Sequence, residues 1–336
     1  MIYGEELGAG GISTKTLPPQ GLNLTLKGGN GKIDCTFTGI ASEWLYLGQY
    51  YRLIAKPGSA PTSPMDGVQI KDVQVGAIGD AVISASITGL TNGVQYYVRL
   101  YVRGDNGWQT SVDAVGTATP MAGIALSTIA ASDATTEPIV MLPGQGVPVK
   151  LLLLKHNYEN SGRSLVLRKD LYDKRAWDTG AVNAYSGADI DLWCTGTYFY
   201  LIDEDMRAKI AAVNIPYTIG GGNNAVITLS RTVFLLSYTE LGYPVHANAN
   251  VEGSALPYFG SDTRRIAHLN DAATSWFSRS PSTSNTDRVW YVFTDGTVSR
   301  YYSAYAIGSR PAFTLPADML FNPAPNPDGS YSPLTA

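Results

Sequence analysis

The strongest constraint on the fold is a hairpin signal near the C-terminal end of the chain. Residues 289–299 read VWYVFTDGTVS, which is two alternating apolar runs around Asp295-Gly296. Asp-Gly between such runs is the strongest short-range signal for a β-hairpin, since both residues tolerate the positive φ angles of a tight turn. We therefore predict two antiparallel strands here.

Two arginine motifs flank this hairpin. Residues 275–281 read SWFSRSP and residues 307–313 read IGSRPAF. The pattern W-x-x-R-S-P … V-x-x-D-G-x-V … G-x-R-P-A-F resembles the C-terminal core of a C-type-lectin-like domain. More narrowly, it resembles a domain family of unknown function that is common in gut bacterial surface proteins and phage virion proteins. Residues 233–240, VFLLSYTE, extend the resemblance, which spans most of 147–320. It implies a scaffold that displays a binding surface, and so recognition rather than catalysis.

Composition agrees with a β-rich protein. Only 15% of the 336 residues are charged and 44% are apolar, while Gly, Pro, Ser, Thr and Tyr are plentiful. This profile is typical of extracellular or virion modules rather than of a helical cytosolic enzyme. The high number of tyrosines, 21, has two equally supported interpretations. They suit a recognition surface, because tyrosine contributes contact area at low entropy cost, and they also suit ordinary strands.

The length allows two ordinary domains. We read residues 1–17 as an extended N-terminal arm and residues 18–120 as a β-sandwich. Its strands are predicted at 22–26, 32–37, 50–56, 82–87 and 110–119, and the first two alternate in polarity with period two. Residues 90–102, LTNGVQYYVRLYV, resemble the corner between the E and F strands of a fibronectin type III domain. That resemblance implies that Leu90 plugs the core and that the hydroxyl of Tyr96 bonds back to the backbone.

Residues 121–148 are predicted to be a linker with an embedded strand, and residues 149–336 to be the C-type-lectin-like domain. Strands are predicted at 149–155, 164–168, 226–229 and 232–237, and acidic helix starts predict helices at 189–194 and 203–210. The predicted fold class is therefore mainly β with an α+β part: a fibronectin type III-like β-sandwich followed by a C-type-lectin-like α+β domain.

Catalytic and metal-binding motifs are missing from the sequence. The three histidines are far apart, the two cysteines, Cys35 and Cys194, are isolated, and no phosphate-binding loop or nucleophile elbow occurs. Formylglycine-generating oxidases of the lectin-like fold need a late cysteine pair, and calcium-dependent lectins need acidic and amide triplets that are not present here. We expect a protein that is not an enzyme and that has no cofactor and no bound metal.

Charge and hydropathy exclude further classes. The net charge is −4 with no run of Lys or Arg, which argues against nucleic acid and anionic membranes as partners. No apolar stretch approaches the roughly 18 residues of a membrane helix, and the N-terminus lacks the pattern of a signal peptide. We expect synthesis in the host cytoplasm, no membrane insertion and a final location in a virion.

Site residues follow from the two motifs. Trp276, Arg279 and Arg310, together with Tyr96, are predicted to be structural, with the guanidinium groups bonded to loop carbonyls or a carboxylate. The segments between the arginine motifs are predicted to contact the receptor or partner. Their candidate residues are Ser282, Thr283, Ser284, Asn285, Thr286, Asp287, Arg288, Arg300, Tyr301, Tyr302 and Tyr305. An ordinary exposed loop has the same composition.

The predicted function is that of a bacteriophage virion protein, in a tail, baseplate or fibre, that recognises the host surface. Its predicted partners are other virion proteins and a host cell-surface glycan or protein, and a homo-oligomer in the virion is expected. One alternative is an architectural virion subunit, such as a decoration or tail-tip protein, and another is a bacterial surface adhesin.

Overall fold

The computed structural model describes residues 22–39, 50–74, 82–104, 107–133, 135, 137, 139–142 and 148–334. The predicted N-terminal arm, residues 1–17, lies outside these ranges. The described part of the chain is mainly β, with 42% of its residues in strands and 11% in helices. Its chain divides into two compact units, with the boundary between Gly123 and Ile124.

The first unit contains two antiparallel sheets that share one apolar core. One sheet has the order β1-β2-β5, and the other has the order β4-β3-β6-β7 with β8 also paired to β6. The core takes side chains from both sheets, among them Ile33, Phe37, Leu53 and Leu100. The strands are β1 (Thr25–Gly29), β2 (Lys32–Thr38), β3 (Tyr50–Pro57), β4 (Gln69–Gln74), β5 (Val82–Thr88), β6 (Tyr96–Gly104), β7 (Gly107–Gln109) and β8 (Val115–Ala118).

The last predicted strand of this unit, residues 110–119, is shorter in the structure, where only β8 lies within this range. The backbone turns between Ser111 and Ala114, where the N–H of Ala114 donates to the carbonyl of Ser111. Two short strands, β7 and β8, therefore pair with opposite ends of β6. Strand β4 was not predicted from the sequence.

The second unit is built on two five-stranded sheets. Their orders are β10-β11-β12-β23-β16 and β13-β22-β19-β20-β21, and the described residues also form the two-stranded ladders β14-β15, β17-β18 and β24-β9. The strands are β9 (Ile124–Ala125), β10 (Ile139–Leu142), β11 (Val149–Lys155), β12 (Arg163–Arg168), β13 (Lys174–Ala176), β14 (Val213–Gly220), β15 (Asn223–Arg231), β16 (Val233–Phe234), β17 (His268–Leu269), β18 (Ala272–Ala273), β19 (Trp276–Pro281), β20 (Arg288–Val292), β21 (Val298–Tyr302), β22 (Ala306–Gly308), β23 (Ala312–Pro316) and β24 (Leu320–Phe321).

Helices are short in this unit. They are α1 (Asp189–Trp193), α2 (Phe199–Leu201), α3 (Glu204–Arg207) and α4 (Asp262–Arg265), with a π-helical turn, Cys194–Tyr198, between α1 and α2. In the described part of this unit, 3-10 turns occur at Leu126–Thr128, Tyr158–Asn160 and Pro257–Phe259. No helix in the described ranges is both long and apolar enough to cross a membrane.

Part of the predicted linker belongs to the second unit. Strand β10 pairs with β11, and β9 pairs with β24. Leu126 and Val140 are fully buried in the core of this unit. Burial of these apolar side chains fixes the segment, so the compact unit starts at Ile124 rather than at residue 149.

The predicted hairpin is present as β20 and β21, which are paired from Arg288↔Tyr302 to Val292↔Val298. The turn closes through the N–H of Phe293, which donates to the carbonyl of Thr297, and Gly296 adopts a φ of 85°. Strand β21 lies at the edge of its sheet.

Candidate recognition surface

A loop of six residues, 282–287, connects β19 and β20 and is held by Asn183. The Nδ2 group of Asn183 lies 3.1, 2.7 and 2.8 Å from the carbonyl oxygens of Ser282, Asn285 and Arg288. Its backbone N–H donates to the carbonyl of Thr286. Asn183 is fully buried. One buried amide thus fixes the base of the loop on several sides.

The β14–β15 hairpin supports the same asparagine. The N–H of Gly221 donates to Oδ1 of Asn183 at 2.7 Å. Gly220 has a φ of 77°, and a Cβ atom at this position would collide with the carbonyl oxygen of Asn183. Only glycine permits this approach. The glycine-rich loop seen in the sequence therefore has a structural role beside the candidate site.

Arg300, on β21, lies across the loop. Its Nη1 group donates to Oγ of Ser284 at 2.8 Å and is 3.4 Å from Oδ1 of Asn285. Its guanidinium carbon is 5.7 Å from the ring centre of Trp290. The loop residues Thr283–Asp287 and Gly222 line a cavity of about 460 Å³. Hydroxyl, amide and carboxylate groups therefore meet at a concave site.

Three tyrosines form a cluster next to this loop. The ring centres of Tyr301 and Tyr305 are 5.5 Å apart, and those of Tyr302 and Tyr305 are 5.8 Å apart. Tyr302 is 41% exposed and Tyr305 is 57% exposed. Tyr301 is half-buried and packs on the core beside Tyr291. Two of the rings are thus accessible, and the third anchors them.

Arg288 joins the loop to the tyrosines. Its guanidinium carbon lies 4.6 Å from the ring centre of Tyr302, and its Nη2 group donates to the Tyr302 hydroxyl at 2.9 Å. The carbonyl of Asp287 accepts a hydrogen bond from the N–H of Ser303, which follows Tyr302. We call this patch, consisting of Thr283–Asp287, Arg288, Arg300 and the three tyrosines, the loop–tyrosine surface. All the predicted contact residues but Ser282, which is buried, belong to it.

Arg279 lies in the core of the second unit. Its Nη1 group donates to Oε2 of Glu240 at 2.6 Å and to the carbonyl of Leu235, and both Nε and Nη2 donate to the carbonyl of Pro216. A second buried carboxylate, Glu252, lies 3.9 Å from its Nε atom. Each of the three nitrogen atoms of this buried guanidinium donates to at least one acceptor. These contacts are those of a structural residue.

The other predicted structural residues are also buried. Trp276 donates from Nε1 to the carbonyl of Arg265 at 3.0 Å. Arg310 lies over the Trp276 ring at 4.8 Å and donates from Nε and Nη2 to backbone carbonyls. In the first unit, the hydroxyl of Tyr96 accepts a hydrogen bond from the N–H of Thr91 at 3.1 Å.

Glu240 and Glu252 were not predicted from the sequence to have a role. Both are fully buried. Glu240 accepts from the hydroxyl of Tyr158 at 2.5 Å and from the N–H of Ser237 at 2.8 Å. Glu252 accepts from the N–H of Thr218 at 2.7 Å. Burial raises the pKa of Glu252 above its usual value of 4.5, although Arg279 opposes the shift. Glu252 thus connects β14 and β19, since it also accepts from the hydroxyl of Ser280, and Glu240 is bonded to Arg279 on β19.

Reactive and metal-binding groups are scattered. Within the described part of the chain, no three His, Cys, Asp or Glu side chains form a group that could hold a metal ion. Cys35 and Cys194 are both free and buried, and burial raises the pKa of each thiol. His156 is bonded to the Ser164 hydroxyl and to the carbonyl of Ile129.

Comparison with known families places one domain in this chain. Residues 161–317 match the family described as Domain of unknown function (DUF6273). The match includes both arginine motifs and the whole loop–tyrosine surface. No curated protein matches the chain.

Proposed function

We propose that the chain is a bacteriophage virion protein, in a tail, baseplate or fibre, whose second unit recognises the host surface. The observation that carries this proposal is the loop–tyrosine surface, in which two exposed tyrosines and two arginines adjoin a polar loop on a fixed frame. Tyrosine and arginine are the residue types enriched at the energetic centres of protein interfaces. Hydroxyl and amide groups add adaptable hydrogen bonding.

Rigidity of the frame supports the same proposal. Binding costs conformational entropy when loops become ordered, and a loop already held in place avoids that cost. Asn183 and the β14–β15 hairpin hold the loop between β19 and β20. Tyr301 packs on the core and contacts the ring of Tyr305. The surface is therefore preorganised for a partner, which is a host glycan or protein under this proposal.

The lectin-like assignment of the second unit is part of the proposal. Two sheets with few and short helices, and a late hairpin with its loops on display, are compatible with a C-type-lectin-like domain. Fold likeness alone does not define a ligand. The choice of recognition as the function is based on the chemistry of the loop–tyrosine surface.

We propose that the first unit is a fibronectin type III-like spacer or docking module. Its sheets, β1-β2-β5 and β4-β3-β6-β7, have the division of strands that such a sandwich requires. The bond from the Thr91 N–H to the Tyr96 hydroxyl supports a tyrosine corner. A module of this kind would separate the recognition unit from the rest of the virion, where copies of the chain assemble together.

An architectural virion subunit is the second candidate, because the same exposed tyrosines could dock on another virion protein. A bacterial surface adhesin is the third. Electron microscopy of phage particles from the source culture, labelled with antibody against this chain, separates the three. Label at the host-facing end of the tail, with adsorption blocked by the antibody, supports recognition. Label on particles without any block of adsorption supports the architectural role, and label on bacterial cells alone contradicts a virion protein.

A further inference from the structure

Strand β15 has one side that no described strand covers. Its sheet consists of β14 and β15 alone, so β15 is paired on one side only. The edge of a strand presents backbone N–H and C=O groups that can pair with another chain, and proteins commonly protect such edges with charged side chains. The edge strands β13 and β21 of the same unit carry Lys174, Arg175 and Arg300. In β15, residues 223–230 are all uncharged, so this edge lacks that protection.

The pairing of β14 with β15 shows which backbone groups face outward. Pro216 is paired with Thr228, and Thr218 is paired with Val226. Both β14 residues turn their backbone away from β15: the carbonyl of Pro216 accepts from Arg279, and the N–H of Thr218 donates to a buried carboxylate. Antiparallel pairs alternate between residues that exchange both hydrogen bonds and residues that exchange none. The N–H and C=O groups of Val226 and Thr228 therefore point away from β14, and they have no hydrogen-bond partner among the described residues.

Apolar side chains are exposed on both faces of this strand. Val226 is 42% exposed and Ile227 is 46% exposed. Successive side chains of a strand point to opposite faces, so the middle of β15 is accessible from both. Arg231, the one charged residue of the strand, is already paired, because its Nε lies 2.7 Å from Oδ1 of Asp191. A strand added at this edge would thus meet β-branched apolar side chains and no unpaired charge.

We propose that two copies of this chain pair through β15, antiparallel and about a twofold axis at Ile227. Val226 of each copy then lies opposite Thr228 of the other, and each of these pairs exchanges both backbone hydrogen bonds. Ile227 faces its own copy in a non-hydrogen-bonded pair, where Cα atoms are about 4.5 Å apart. Arg231 lies opposite Asn223, so no like charges face each other across the axis.

The charge of the chain favours this edge as the place where copies meet. The net charge is −4, so two copies repel each other overall and associate best through a neutral surface. A twofold interface uses the same residues on both partners and is closed at two copies. This pairing does not depend on the host-recognition role of the loop–tyrosine surface.

Sedimentation velocity of the full chain tests the pairing. Association follows mass action, so we expect the dimer fraction to rise across about a hundredfold range of protein concentration. Hydrogen exchange at the amides of Val226 and Thr228 should slow across the same range, because these N–H groups become bonded in the dimer. A chain that stays monomeric throughout would overturn the proposal in favour of a strand from another protein, and growth beyond the dimer would overturn the twofold axis.

Charged variants at Ile227 test the position of the axis. Ile227→Lys places two like charges directly opposite each other, so the dissociation constant of the dimer should rise at least about tenfold. Ile227→Glu should have the same effect by itself, whereas an equimolar mixture of the two variants should dimerise again through opposite charges. The matched control, Val245→Lys, adds the same charge at an 87% exposed position of the same unit and should dimerise like the parent.

The fold of these variants is checked by their melting temperature, which should equal that of the monomeric parent because Ile227 is about half exposed. Thr228→Pro is a second route to the same loss, since proline removes an N–H that points away from β14. Parental dimerisation by Ile227→Lys or by Thr228→Pro would contradict the pairing through β15. Failure of the mixture of folded Ile227→Lys and Ile227→Glu chains to dimerise would contradict the axis at Ile227.

Discussion

Removal of the Asn183 side chain should release the loop between β19 and β20 and destabilise the second unit. The amide nitrogen has two hydrogens and can satisfy two of its three neighbouring carbonyls fully, while Oδ1 accepts one further bond. At about 1 kcal/mol net for each of three bonds, Asn183→Ala should cost about 3 kcal/mol. For a unit of this size, that corresponds to a fall in melting temperature of about 6–12 °C.

Asn183→Asp tests the direction of these bonds. The aspartate has nearly the same shape, but at neutral pH it only accepts hydrogen bonds, and it would face the carbonyl oxygens of Ser282, Asn285 and Arg288. We therefore expect it to be less stable than Asn183→Ala at pH 7. The loss of stability in Asn183→Asp should become smaller as the pH falls, because protonation of the aspartate restores one hydrogen-bond donor.

Differential scanning calorimetry of the full chain is the assay, and Asn214→Ala is the matched control. Asn214 is exposed on β14, so its variant should lie within about 0.5 kcal/mol of the parent. A change below about 1 kcal/mol for Asn183→Ala would refute the role given to Asn183. An aspartate variant as stable as the parent at pH 7 would refute it as well.

Three further predictions concern the cores. Arg279→Met should cost about 3–5 kcal/mol because it leaves two buried carboxylates unpaired, whereas Lys150→Met, which breaks an exposed pair, should cost at most about 1 kcal/mol in the same urea titration. Tyr96→Phe should lower the stability of the first unit by about 1 kcal/mol, because it removes the hydrogen bond from the Thr91 N–H. An equal fall in melting temperature for the control variant Tyr97→Phe would contradict the role of this bond. Because burial raises the pKa of Glu252, the folded chain holds this proton more tightly than the unfolded chain does, so its carboxyl should reduce stability as the pH rises above 4.5. Glu252→Gln should remove that decline, and an unchanged pH profile would speak against it.

Local patterns accounted for much of the strand content. Alternating polarity predicted β2, and Asp-Gly predicted the β20–β21 hairpin, because both signals act over a few neighbouring residues. Strand β14 was missed. It contains Pro216, which disfavours a strand in general but is tolerated where its missing N–H faces no partner. Here β14 pairs only with β15, and the carbonyl of Pro216 accepts from Arg279.

The candidate contact residues could be predicted from the sequence, but the residues that hold them in place could not. Composition between the two arginine motifs pointed to the loop and the tyrosines. Asn183 bonds to residues about a hundred positions away, at separations where a single sequence carries no signal. The tyrosine content was also ambiguous on its own. At least ten tyrosines are buried, whereas Tyr302 and Tyr305 are among the few exposed ones.

The most direct test of the recognition surface is a cell-adsorption competition with the purified chain. Tyr302→Ala combined with Tyr305→Ala removes the two exposed rings and leaves Tyr301 in the core, and Tyr200→Ala removes a 64% exposed tyrosine elsewhere on the same unit as the control. We predict that the parent chain and the Tyr200 variant compete with phage for host cells, while the double variant keeps its melting temperature and loses competition by at least about tenfold. Equal competition by the double variant would contradict the account.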